Sequence, residues 1–98
     1  MKIFFRNLTP DAVVNQINAS IQGRQIAELV KLNLDSNNLD VTISKLGTST
    51  FSFLCSKNGP DCLIELKNEK IAFAHRAFKD EVLSKLVQIV EKAGGKVT

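Results

Sequence analysis

Few residues of this chain could do chemistry, and the most distinctive is its one histidine. His75 ends an apolar stretch and is followed by Arg76, Lys79 and Asp80. A histidine where a strand passes into a helix can move a proton, or can contact an anion held by free helix N–H groups. His75, Arg76 and Lys79 are therefore the candidate anion or ligand contacts. Acid–base catalysis would need a nucleophile or carboxylate in reach, and Asp80 falls on the next element. Thr42, Ser44, Thr48, Ser49, Thr50 and Ser52 read as a hydroxyl-bearing outer sheet face. None stands in a G-x-S-x-G nucleophile turn, and Gly47-Thr48-Ser49 lacks the glycines and lysine of a phosphate loop. No catalytic set can be assembled from spacing, so the chain reads as non-enzymatic.

The two cysteines, Cys55 and Cys62, are not spaced as C-x-x-C, and a single histidine cannot complete a mixed site. No metal and no cofactor is expected. The cysteines fall near the two ends of a hairpin. A cross-hairpin disulfide is geometrically open, but buried thiols fit a reducing compartment better, and Cys55 shares a face with Phe51 and Phe53. The net charge of +3 is mild, and the basic residues interleave with acidic ones from Lys2 to Lys96. There is no basic block of the kind found in nucleic-acid arms. Folding could still gather Lys57, Lys70, Arg76 and Lys79 into one patch. No apolar run approaches the ~20 residues of a membrane span. Arg6 ends the first apolar run before it reaches the length of a signal sequence. The expected location is cytoplasmic.

Period-two alternation dominates the middle of the chain and marks a sheet with one buried face. Leu39, Val41 and Ile43 alternate with Asp40, Thr42 and Ser44, and Phe51, Phe53 and Cys55 with Ser52, Leu54 and Ser56. The pattern predicts strands over residues 2–6, 28–34, 39–45, 50–56, 62–67 and 70–75, the last two joined through Asn68-Glu69. Asn58-Gly59-Pro60-Asp61 is the clearest turn. Thr9-Pro10-Asp11 starts a helix whose stripe is Val13, Val14, Ile17 and Ile21, and Gly23 stops it. Residues 25–30 fit either helix or strand. A second helix spans about residues 78–93, with Glu81 and Lys85 spaced for a surface ion pair. The expected fold is α+β: a two-layer sandwich with a mainly antiparallel sheet of five or six strands and two helices on one face, in the order β-α-β-β-β-β-β-α. Residues 1–95 form one domain, and residues 96–98 a frayed tail. In architecture alone this order resembles helix-grip domains; no sequence motif accompanies the likeness.

Apolar residues also fall on the wrong side of the pattern. Phe4, Leu54, Leu63, Ala72 and Ala74 oppose the core positions, although an open antiparallel face should be polar. An apolar strip there points to a contact surface. The expected function is a small binding module that forms a homodimer and meets a protein partner through Leu54, Leu63, Ala72 and Ala74. The alternatives are nucleic-acid binding through the basic patch, or a small-ligand site between helices and sheet to which His75 contributes one polar contact.

Overall fold

The computed structural model describes residues 1–23, 25–45 and 47–98, without the side chains of residues 26, 58 and 78. The chain runs β1 (Lys2–Phe5), α1 (Pro10–Ile21), a 3-10 turn (Gln25–Glu28), β2 (Val30–Asp35), β3 (Asn38–Ser44), β4 (Thr48–Asn58) and β5 (Asp61–Lys70). A second 3-10 segment (Phe73–Phe78), α2 (Lys79–Lys92) and β6 (Lys96–Val97) complete it. The six strands form one antiparallel sheet in the order β2-β3-β4-β5-β1-β6. The two-layer α+β class with two helices and six strands is as expected.

Local chemistry explains each helix. The Thr9 hydroxyl accepts a bond from the Ala12 N–H at 3.2 Å, and Pro10 occupies the first turn, where its missing N–H costs nothing. Val13, Ile17 and Ile21 then recur every fourth residue and are buried. Gly23, with φ +79°, takes the left-handed position beyond the helix end. On α2 the buried stripe is Leu86, Ile89 and Val90, with Asp80 and Glu81 at the positive end of the dipole and Lys92 at the negative end. The Gln16 amide donates to the Ala93 carbonyl at 2.7 Å, tying α1 to the end of α2.

The core face of the sheet carries Ile3, Phe5, Val30, Leu39, Val41, Phe51, Phe53, Cys55, Cys62 and Ile64, all buried. The β4–β5 turn is the two-residue Gly59-Pro60, and Gly59 has φ +64°. A glycine with positive φ at the first central position matches the twist of a hairpin.

Two segments depart from expectation. The strand expected over residues 70–75 does not form, because β5 does not turn at Asn68-Glu69. A β-bulge absorbs the break in alternation there: Phe53 pairs with Leu66 and Ser52 with Asn68, leaving Lys67 as the extra residue. One strand therefore runs through to Lys70. The residues beyond it coil into the 3-10 segment, and Phe73 is 86% exposed. The sixth strand comes instead from the C-terminus. Lys96 and Val97 pair with Phe4 and Ile3, and Lys2 and Thr98 exchange backbone bonds, so the tail expected to fray is an edge strand. Gly95 makes this return possible, since a Cβ there would lie 2.8 Å from the Phe5 ring and 2.9 Å from Ile3. The ambiguous stretch also resolves: residues 25–28 are 3-10 helix, and the strand begins at Val30.

Candidate functional site

The sheet's β2–β3 end and α2 do not close completely on each other. Between them lies a cleft of about 370 Å³. Val30 and Ile43, directly paired across β2 and β3, form its floor. Val82 and Ile89 from α2 form one wall, seven residues apart and so on one helix face. Leu29, Ala74 and His75 complete the lining, with Lys45, Glu81 and Lys85. The size is at the low end of the ~300–1,000 Å³ typical of ligand pockets, and the walls are apolar with few polar groups. A second hollow of about 350 Å³ adjoins it. The two share Leu29, Lys45, Lys85 and Ile89, and the second adds Gln25, Gln88 and Lys92.

His75 builds the side of this cleft through a buried network. It is 7% exposed, and Ser49 is fully buried. The Ala72 N–H donates to the Ser49 hydroxyl at 2.9 Å, and that hydroxyl lies 2.6 Å from His75 Nδ1. His75 Nε2 bonds the Lys45 carbonyl. A carbonyl can only accept, so Nε2 carries the proton; in the neutral ring Nδ1 then accepts from Ser49. Every polar atom of the pair is thereby used. The network clamps the residue after β3, the start of β4 and the 3-10 segment together, and among the described residues no buried side-chain polar atom is left without a partner.

A serine bonded to a histidine resembles a nucleophile with its base, but this pair is closed to substrate. Ser49 presents no surface, and a backbone carbonyl, not a carboxylate, orients the ring. Ser49 also corrects the expected hydroxyl face. It pairs with Ile43 and shares the inner face with Phe51 and Phe53, so of the six hydroxyl residues it alone is buried. Counting back by twos from Phe53 through Phe51 reaches Ser49, and that is the signal that would have found it.

The other candidate residues divide. Arg76 is exposed and lies over the Phe73 ring at 5.7 Å. Lys79 pairs with Glu69 at 2.7 Å, and this bond and charge raise its pKa above the usual lysine value. Neither lines the cleft. Lys57 pairs with Cys62 near the β4–β5 turn, while Lys70 pairs with Thr50 at the other end of β4. Seven residues of strand separate the two sites, roughly 23 Å at ~3.3 Å per residue. Lys57 is thus not gathered with the other three. Leu54 and Leu63 do lie on the open sheet face, where Leu63 pairs with Phe4 and Leu54 is 40% exposed. Ala72 and Ala74 do not, because the strand expected to carry them is absent; Ala72 joins the Ser49 network, and Ala74 lines the cleft.

Cys55 and Cys62 are free and buried on the core face of β4 and β5. Burial, reinforced by the neighbouring Cys62, pushes the Cys55 thiol up to about 11. Burial raises Cys62 as well, against a hydrogen bond from Cys55 that pulls it down. Both stay protonated near neutral pH, which makes them poor nucleophiles and poor ligands. Among the described residues, no group of three or more His, Cys, Asp or Glu converges as a metal site, and no helix is long and apolar enough to cross a membrane. Comparison with protein-family models, with curated proteins and with solved structures finds no match to this chain.

Proposed function

We propose that this protein binds a small, largely apolar ligand in the cleft between α2 and the β2–β3 end of the sheet. The observation that carries this reading is the cleft itself. Val30, Ile43, Val82 and Ile89 face a hollow of about 370 Å³ where continuous packing would otherwise complete the core. Protein interiors are close-packed, so an apolar hollow of this size forfeits contact energy that a ligand would restore. Each methylene buried there gains about 0.8 kcal/mol. The test uses 1-octanol, a neutral chain, titrated into labelled protein and followed by amide NMR. Saturable shifts should map to Ile43, Val82 and Ile89. Ala74→Trp should fill the mouth and weaken binding at least about tenfold, since Ala74 is exposed and lines the cleft. Absence of saturable binding to the unmodified protein, or full binding to the tryptophan variant, would remove the reading.

A second reading rests on the open sheet face. Phe4 and Leu63 are directly paired there, with Leu54 diagonal to Leu63. Beside them Lys2 pairs with Glu65. A second copy related by a two-fold axis could cover the apolar residues and set each Lys2 against the other copy's Glu65. Such a homodimer would leave the cleft free, so the two readings are independent.

A further inference from the structure

The adjoining second hollow says what the ligand carries at its end. We infer that the ligand is an amphiphile with an anionic head, a carboxylate or a phosphate ester, held by Lys45, Lys85 and Lys92 while its chain fills the apolar cleft; this rests on the cleft being a binding site. The two hollows share Leu29, Lys45, Lys85 and Ile89, so the apolar space opens directly onto the polar one. Around the polar hollow stand three lysines, Gln25 and Gln88, and no acidic residue. Lys85 and Lys92 are seven residues apart on α2, hence on one face and about 10 Å apart along the axis. Lys45 faces them from the end of β3, and its own carbonyl is the group that His75 holds. The ion pairs found among the described residues are Lys67–Glu65 and Lys79–Glu69, so none of these three ammonium groups is neutralised by a neighbour within salt-bridge distance.

Further features favour the anion. Lys92 sits in the last turn of α2, where the dipole stabilises its charge but does not compensate it. Glu81, the one acidic residue in the cleft lining, lies one turn before Lys85 and is absent from the polar hollow. A neutral head would leave three ammonium groups at the mouth with only water to bond. A carboxylate would gain charge-assisted bonds at no comparable cost to the protein, because the lysines stay partly hydrated until it arrives. The occupant is a free amphiphile, since the apolar wall lies inside a cleft and is not displayed on a flat face.

The test compares octanoate with 1-octanol on the intact protein. Octanoate should bind at least about tenfold more tightly at low salt, and the margin should shrink as salt is raised. Lys92→Glu, at a residue that lines the polar hollow and not the apolar cleft, should abolish most of that margin while leaving octanol affinity unchanged. Equal binding of the two probes to the unmodified protein would overturn the anionic head and leave the cleft reading intact. Binding of neither would overturn both. Saturable binding of an acidic helical peptide without binding of octanoate would assign the lysines to a protein partner and overturn the proposal.

Discussion

Replacing Ser49 with alanine removes one oxygen from the interior and should cost far more than its size suggests. The hydroxyl serves two groups. It accepts the Ala72 N–H at 2.9 Å and lies 2.6 Å from His75 Nδ1. Alanine leaves both without a partner. A buried polar group stripped of its bond costs about 1–3 kcal/mol. His75 is buried and takes the upper part of that range; Ala72 is half-buried, so water can reach its N–H and it takes the lower part. The sum is about 2–4 kcal/mol, against a total stability of order 5–15 kcal/mol for a domain. With a urea slope of about 2 kcal/mol/M, the unfolding midpoint should fall by about 1–2 M at constant slope.

The same substitution tests whether the three groups act as a unit. In a His75→Ala background the serine has lost its second partner, so Ser49→Ala should cost at least about 1 kcal/mol less than it does alone. Imidazole nitrogen shifts in the unmodified protein should place the proton on Nε2, the atom that faces the Lys45 carbonyl. A cost for Ser49→Ala below about 1 kcal/mol, or strict additivity with His75→Ala, would refute the reasoning. It would mean that water or a rearranged loop satisfies the ring, and that the cleft wall is not held by this network.

Burial raises both thiols, Cys55 to about 11 from 9.0. A folded state that holds these protons more tightly than the unfolded chain has its full stability below about pH 9 and loses it as pH rises toward 11. Urea midpoints should therefore decline over that window, with a shallower decline in Cys55→Ala, and neither thiol should react with a disulfide reagent in the native state at neutral pH; equal slopes in the two proteins would refute the account. Leu63→Asp places a charge beside Phe4 on the open sheet face and should leave the fold intact while reducing the apparent mass in sedimentation from dimer to monomer. A monomeric unmodified protein, or a variant that stays dimeric, would remove the homodimer reading.

The fold was largely legible because most of it is governed by short-range rules. The stripe Val13, Ile17 and Ile21, the cap at Thr9 and the turn at Gly59-Pro60 each read directly from spacing and residue type. The errors fall where one local rule meets a long-range contact. Asn68-Glu69 has turn composition, yet Glu69 pairs with Phe51 across the sheet and reaches Lys79 at 2.7 Å, and both contacts hold the strand extended. Val97 carries no strand pattern of its own; it is ordered by Ile3, ninety-four positions earlier, through a ladder that exists only once α2 has brought the chain back. The spacing of Glu81 and Lys85 allows an ion pair, but the pairs that form among the described residues are Lys67–Glu65 and Lys79–Glu69, as an interaction worth only about 0.2–0.5 kcal/mol permits.

The candidate site was harder to read because its residues share no sequence signature. Ile43 and Val82 appear in the sequence as ordinary core positions of a strand and a helix, and nothing in their spacing shows that the two stripes fail to meet. Whether an apolar residue is packed or lines a hollow depends on the distance between layers, which periodicity does not encode. The lysines are similar. Lys85 and Lys92 read as the solvated side of α2, and Lys45 as the end of a strand. Only the tertiary fold sets Lys45 opposite the helix, and it does so through the buried Ser49–His75 bond that pins the Lys45 carbonyl. The histidine that first suggested a chemical role would thus act one step back from the proposed ligand: both its ring nitrogens are bonded, and it fixes the backbone from which Lys45 projects.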